Sequence, residues 1–226
     1  LFRSVAVSKS SMTLLAENFS DIKEKLTVIP NMISPHELLK KTKMYEVAEF
    51  RDSVFKIITV GRMSPEKNMT LCPKVAAVLK MAGINFKWIL IGDGEDERHI
   101  SRMIIKYNLQ EDVLMLGRSK NPYPYIAAAD LMIHPSLIES QGITILESMA
   151  LATPVIAVAS AGPKEFIVSG KNGYLVAPEI DEIVKLTKKI YEDSELREKI
   201  VKNALETVRR VEPEYIMKQV ENILEI

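Results

Sequence analysis

Cysteine is almost missing from this sequence: Cys72 is the only one in 226 residues. That excludes an internal disulfide and a cysteine metal cluster. Histidine is nearly as scarce. His36, His99 and His134 stand apart, with no second histidine spaced to complete a metal site. Apolar runs stay well short of the roughly 18 residues that would cross a bilayer. Net charge is absent as well, since 30 basic and 30 acidic residues cancel. No global field then draws the chain to nucleic acid or to an anionic membrane, although a local basic pocket is compatible with that balance. A Gly-x-Ser-x-Gly elbow is lacking, which leaves a serine-hydrolase triad without support. The first residues, Leu1-Phe2-Arg3, include no initiator Met and no signal-peptide layout, and the chain reads as the interior of a longer protein.

What is present is a large apolar fraction, 47%, enough for one large domain or for one domain and part of another. Phe2–Val7 reads as a short strand, with N-cap candidates at Ser8–Ser11 for a helix through Asn18. Leu26–Pro30 reads as a second strand, and residues 34–53 as a connection with room for a short helix. From Phe55 the pattern is regular. Apolar strands are expected at 56–60, 86–91, 113–116, 131–134, 154–158 and 174–176. Helices are expected between them, over 71–82, 95–107, 124–129, 143–151 and 164–169. The tail is helical: Ile183, Leu186, Ile190 and Tyr191 share one face with Asp181 as cap, Leu196, Ile200, Ala204 and Val208 form a second stripe, and Pro213 starts a last helix to Ile226. Near-continuous apolar strands alternating with helices imply a Rossmann-like α/β fold, a parallel sheet covered on both faces.

Three stretches carry chemistry. Gly61-Arg62 and Lys67 lie in a loop directly after a strand; Arg62 and Lys67 offer a fork and a point charge to phosphate oxygens, or are solvated cations near Glu66. Gly92-Asp93-Gly94 follows the next strand but lacks a third glycine, and Glu95, Asp96 and Glu97 would repel a pyrophosphate at that helix start. It reads as a tight turn rather than a dinucleotide site. The third stretch is strongest. Glu139 and Glu147 stand with seven residues between them, and a helix begins near Gly142, Ile143 and Thr144. The free amides there suit an anion, Glu139 can accept from sugar hydroxyls, and Glu147 can match a ribose diol with its two oxygens. The alternative is structural: Glu139 caps the helix and Glu147 pairs with a nearby cation. His134, ending an apolar strand, reads as a core or loop histidine.

Taken in this order, the motifs resemble glycosyltransferase family 4, retaining enzymes of the GT-B fold. They are Gly61-Arg62…Glu66-Lys67-Asn68, Gly92-Asp93-Gly94, Glu139-x7-Glu147 with Ser-Met-Ala after it, Pro154-Val-Ile-Ala, and Pro163-Lys-Glu165…Asn172-Gly173. The likeness is strong over 55–178 and weaker beyond.

The resemblance implies that the chain is the C-terminal, donor-binding half of such an enzyme. Residues 1–30 would then be the end of the N-terminal acceptor domain with a linker strand, 31–54 a connection, 55–212 the donor nucleotide-sugar domain and 213–226 a C-terminal helix. The donor would be a UDP- or GDP-sugar. The acceptor, a glycan or a lipid-linked sugar, would bind mainly on the N-terminal domain. Arg62 and Lys67 would hold the diphosphate and stabilise the leaving group with no metal and no cofactor, and Glu139 would contact the sugar. Gly61 and the amides of Gly142, Ile143 and Thr144 would meet phosphate and sugar, Glu147 the ribose, and the Gly117-Arg118 loop the base. A role in polysaccharide biosynthesis follows by the same likeness, at a cytoplasmic location that is at most peripheral to the inner face of the membrane, and without a nucleic-acid partner. The family often has Gly-Phe after its first glutamate; Ser140-Gln141 stand here and would change the pocket wall beside the sugar. Two further readings are a nucleotide-sugar epimerase of related fold and a binding module without turnover.

Overall fold

Six short, mostly apolar runs build the main sheet, and they are apolar because both faces of that sheet are covered. The computed structural model describes residues 4–50 and 54–224. The elements begin with β1 (Ser4–Ala6), α1 (Lys9–Asn18), β2 (Leu26–Val28) and α2 (Pro35–Thr42). They continue with β3 (Phe55–Val60), α3 (Leu71–Met81), β4 (Phe86–Ile91), α4 (Glu97–Lys106), β5 (Val113–Gly117) and α5 (Tyr123–Ala128). Then come β6 (Leu131–His134), α6 (Ile143–Ala150), β7 (Val155–Val158), α7 (Pro163–Phe166) and β8 (Tyr174–Val176), followed by α8 (Ile180–Glu192), α9 (Ser194–Val208) and α10 (Pro213–Leu224). Of the expected first strand, Phe2 and Arg3 lie outside the described residues, as do 51–53 of the connection and the last two positions of the final helix.

Strands β3 to β8 form one parallel sheet in the order β5-β4-β3-β6-β7-β8. Alternate residues feed two cores, because neighbouring side chains of a strand point to opposite faces. Ile57, Trp88, Leu90 and Ile133 meet α3, α4 and α8 on one side through residues such as Val75, Ile100 and Ile183. Ile58, Ile89, Met132 and Val155 meet α2, α5, α6 and α9 on the other through Leu38, Ile126, Leu146 and Val208. The expected α/β architecture with both faces covered is therefore what the chain adopts. Helices α8 and α9 are part of that cover, α8 against α3 and α9 against α6, so only α10 lies beyond them in the chain.

Strands β1 and β2 pair in parallel as a separate two-stranded sheet. Of the cap candidates Ser8–Ser11, it is Ser8 that caps α1. The first two α1 amides also donate to the Glu165 carboxylate, both at 3.1 Å, which ties this segment to α7. The connection does contain a helix, α2, capped by Ser34 with Pro35 at its first position. One cap differs from expectation: Asp181 sits in the first turn of α8 and makes no cap bond. Glu182 takes over locally, accepting from the Ala177 amide at 2.8 Å.

A buried polar knot stitches the centre. Thr59 donates its hydroxyl to the Ile133 carbonyl at 2.7 Å and accepts from Trp88 Nε1 at 3.1 Å and from Cys72 Sγ at 3.8 Å. Three strands and α3 are joined where each polar group has a partner, which makes their burial tolerable. Burial pushes the Cys72 thiol up to about 12, so it stays protonated and inert.

Candidate active site

The chain enters the sheet at β3, winds outward through β4 and β5, then returns to the other flank of β3 with β6. The loops leaving β3 and β6 thus diverge at the point where open α/β sheets leave a crevice at their carboxyl ends. A cavity of about 210 Å³ fills that crevice, lined by Gly61, Lys67, Glu139, Ile143 and Thr144 together with Thr59, Met69, His134 and Ser136. Five of the site residues expected from the sequence share this one space.

The β3 loop is held rigidly from behind. The Gly61 amide donates to Ile91 O at 3.0 Å and the Met63 amide to Asp93 O at 2.8 Å. This close approach is what Gly92 and Gly94 permit. Both have positive φ, and a Cβ on Gly92 would lie 1.7 Å from Gly61 O, one on Gly94 2.4 Å from Met63 O. The Gly-Asp-Gly motif is a turn, as expected, and its function here is to seat the loop that carries Lys67. Asn68, left-handed at φ 52, then ends the loop's single 3-10 turn. Across the crevice, the Leu137 amide donates to Glu66 O at 2.9 Å, clamping one loop to the other.

Lys67 Nζ donates to Glu139 Oε2 at 2.7 Å. The same oxygen accepts from His134 Nε2 at 3.2 Å. An ionised carboxylate only accepts, so this geometry puts the ring proton on Nε2. The histidine's bond first, and the lysine's bond second, hold the Glu139 carboxyl at about 2 against the opposing pull of burial. Glu139 therefore does not cap α6, the structural alternative considered for it. The α6 N-cap is Gly142, with φ 83 and no side-chain cap bond. Among the described residues, the amides of Gly142, Ile143 and Thr144 have no hydrogen-bond acceptor. They are the free donors at a helix start that an anion requires.

Glu147 lies one turn further along α6 in a different environment. Tyr123 Oη donates to Glu147 Oε1 at 2.8 Å, and Lys41 Nζ stands 5.2 Å from the Tyr123 ring centroid. Burial raises the Glu147 carboxyl, with the phenol bond and the Lys41 charge acting against it. Its expected partner in the structural alternative was a cation. The partner in contact is a phenol.

Arg62 and Arg118 are both exposed. Arg62 follows Gly61 in the β3 loop but does not line the cavity, and it forms no ion pair among the described residues. Arg118 follows β5, two strands from β3. Gln141 differs from expectation. It does not line the cavity; its Oε1 accepts from the Asn31 amide at 3.3 Å and from the Asn31 side chain. The side chain thus fastens the site loop to the segment entering α2 instead of forming a wall. Ser140 is exposed.

Sequence reasoning missed His134 and Tyr123 as site residues. His134 had a usable signal, an imidazole five residues before the first glutamate at a strand's carboxyl end. Tyr123 had none, because its contact with Glu147 depends on how α5 and α6 pack. Among the described residues, no group of three or more His, Cys, Asp or Glu is placed to hold a metal ion, and no helix is long and apolar enough to cross a membrane.

Comparison with known proteins shows the family and the fold. The chain is 25% identical over 257 residues to an uncharacterised glycosyltransferase of Methanocaldococcus jannaschii, covering 98% of this chain and 63% of that protein. It is 29% identical over 204 residues to the N-acetylgalactosamine-N,N'-diacetylbacillosaminyl-diphospho-undecaprenol 4-alpha-N-acetylgalactosaminyltransferase of Campylobacter jejuni, covering 88% and 53%. It thus spans between half and two thirds of the length of these relatives. Among solved structures, Anabaena HepE in complex with UDP-glucose superposes with a TM-score of 0.84 at 25% identity over 99% of this chain and 63% of that one. Staphylococcus aureus TarM superposes at 0.82 with 23% identity, over 99% and 44%. The family model for glycosyl transferases group 1 matches residues 40–207, most of the chain and all of the crevice, and the chain belongs to that family.

Proposed function

We propose that this chain is the donor-binding part of a retaining glycosyltransferase that moves a sugar from a nucleoside-diphosphate sugar to a glycan or lipid-linked acceptor. The observation that carries the reading is the Lys67–Glu139 pair facing the unpartnered amides of Gly142–Thr144 across the switch-point crevice. Cation, carboxylate and helix start together present what a sugar diphosphate needs: positive groups for the phosphates and an acceptor for sugar hydroxyls.

In this reading the diphosphate lies between Lys67 and the α6 start, with Arg62 swinging in from the loop. Lys67 has donor capacity left after its bond to Glu139, since an ammonium carries three protons. As the anomeric C–O bond breaks, negative charge grows on the departing phosphate and these fixed positive groups stabilise it. The acceptor hydroxyl attacks from the same face, its oxygen bonding to the anomeric carbon while its proton passes to the leaving phosphate oxygen, which retains configuration. Glu139, held anionic by His134 and Lys67, accepts from sugar hydroxyls and offsets positive charge at the sugar. Glu147 takes the ribose, and the Arg118 loop lies against the base. The complex of HepE with UDP-glucose favours a uridine donor as the first to try.

Calorimetry with UDP, GDP and ADP, each with and without EDTA, tests the reading. At least one nucleotide should bind, with the same affinity in both conditions. Binding by none of them, or binding only when a divalent metal is supplied, overturns it.

A further inference from the structure

Glu147 is buried enough to cost free energy as a carboxylate, yet among the described residues it has no cation in contact. Its companion is the phenol of Tyr123, 2.8 Å away. That phenol is itself fixed from two sides. Lys41 stands 5.2 Å over its ring, within cation–π range. The residue two before it, Asn121, donates from Nδ2 to the Lys41 carbonyl at 2.9 Å, while Tyr45 Oη donates to the Asn121 carbonyl. The end of α2 is therefore latched to the corner that starts α5, and the corner presents one hydroxyl to one carboxylate oxygen. A glutamate on a helix has three side-chain torsions to place. A donor on a clamped ring restricts them at little cost, because the ring was ordered by other contacts.

We infer that Tyr123, steadied by Lys41, is a positioning residue that aims Glu147 at the 2′- and 3′-hydroxyls of a nucleotide ribose. The inference rests on the nucleotide-binding reading above and adds a residue to it. One bond from Tyr123 leaves most of the carboxylate's roughly four acceptor positions free for two hydroxyl donors. Among the described residues, the other elements packed on α6 bring no charge that acts on Glu147. Helix α9 meets α6 through Ala204 and Val208, and strands β6 and β7 through Met132, Val155 and Ala157. Tyr123 and Lys41 are the groups that act on its ionisation besides burial.

Tyr123→Phe keeps the ring, its volume and the Lys41 contact, and deletes the single bond. The experiment measures the affinity of UDP, or of whichever nucleotide the unaltered chain binds, beside its 2′-deoxy analogue from pH 5 to pH 8. Ribonucleotide binding should weaken roughly five- to tenfold, the deoxy analogue should weaken less, and discrimination between them should shrink. The loss of binding toward acid should also begin at higher pH in Tyr123→Phe. Removing a hydrogen bond to the charged form favours the neutral one, and a neutral Glu147 is a poorer acceptor. A merely structural tyrosine would move neither the discrimination nor the acid limb. If the unaltered chain binds no nucleotide, the reading of the whole site falls. If it binds and discriminates while Tyr123→Phe leaves ratio and acid limb unchanged, the positioning role falls alone. Should Tyr123→Phe melt at much lower temperature, Lys41→Gln decides: a two- to threefold loss of discrimination, by roughly the worth of an exposed cation–π contact, supports the role, and none overturns it.

Discussion

Glu139 and Glu147 belong to one stretch of chain, yet the fold treats them oppositely. Glu139 stands in the loop before α6 and receives two nitrogen donors on a single oxygen. Its charged form is strongly favoured, with the carboxyl held at about 2. Glu147 sits within α6, meets one phenol, and has its carboxyl raised by burial. The first end of the site is preorganised: Lys67 and His134 hold the Glu139 carboxylate in place before any ligand arrives. The second end holds a carboxylate whose ionisation the fold opposes, and ligand hydroxyls would relieve that cost. Identical side chains in one segment become a fixed electrostatic post and a poised acceptor because their partners come from different parts of the fold: the β3 loop and the end of β6 for Glu139, α5 for Glu147.

The comparison breaks hardest at the Lys67 end. A Cβ at position 92 would lie 1.7 Å from Gly61 O, and Gly92 has φ +146 besides, so the β3 and β4 loops cannot keep their spacing. Gly92→Ala is expected to cost about 3 kcal/mol in urea unfolding and to displace Lys67 from Glu139, while the Tyr123–Glu147 contact stays intact. A loss under about 1 kcal/mol would show that the two loops part easily and that the preorganised end is not braced as described.

Next in size is Glu139→Gln. It leaves a half-buried Lys67 without its counter-charge, and about 2 kcal/mol of stability should be lost at pH 7. The pH dependence follows from the depressed carboxyl. Stability from Glu139 is fully present above the unfolded value near 4.3 and disappears as pH falls through about 2, since the folded state then ceases to bind fewer protons than the unfolded one. The gap between the unaltered chain and Glu139→Gln should therefore close as the solution is acidified from about pH 4 to about pH 2. A gap that stays constant across that window would mean that packing, and not charge, distinguishes the two.

Most of the fold was legible because burial on both faces leaves the strands as apolar runs that local pattern can find. Ile57–Val60, Phe86–Ile91 and Tyr174–Val176 need no knowledge of their neighbours. A cap within Ser8–Ser11, and the reading of Gly92-Asp93-Gly94 as a turn, were also readable, since each depends on a few adjacent residues. The site was legible as a set of chemical types: cation loop, paired glutamates, glycine at a helix start. Its partnerships were not. Lys67 and Glu139 are 72 residues apart, Asn31 and Gln141 are 110 apart, and Glu165 reaches amides more than 150 residues away. Such pairs follow from strand order, which apolar periodicity does not encode. Asp181 failed as a cap for a nearer reason, because the helix begins at Ile180 and leaves Asp181 inside its first turn.

The smallest effect has the opposite sign and separates the two carboxylates most cleanly. Because folding raises the Glu147 carboxyl, the folded state binds its proton more tightly than the unfolded state does. Its contribution to stability is present in acid and is lost as pH climbs from the unfolded value through the raised folded one. Glu147→Gln removes that charge but keeps an oxygen for the Tyr123 hydroxyl. It should therefore stabilise the chain at pH 7, by about 0.5–1 kcal/mol, as expected where a site residue is retained for binding at the expense of stability. The gain should fade on acidification, where Glu147 is protonated in both states. Urea titrations of both chains at pH 7 and pH 4 measure it. Glu139→Gln and Glu147→Gln would then move stability in opposite directions at neutral pH. Two losses of equal size would instead mean that Glu147 is a structural hydrogen-bond partner for Tyr123, held as firmly as Glu139 is by Lys67.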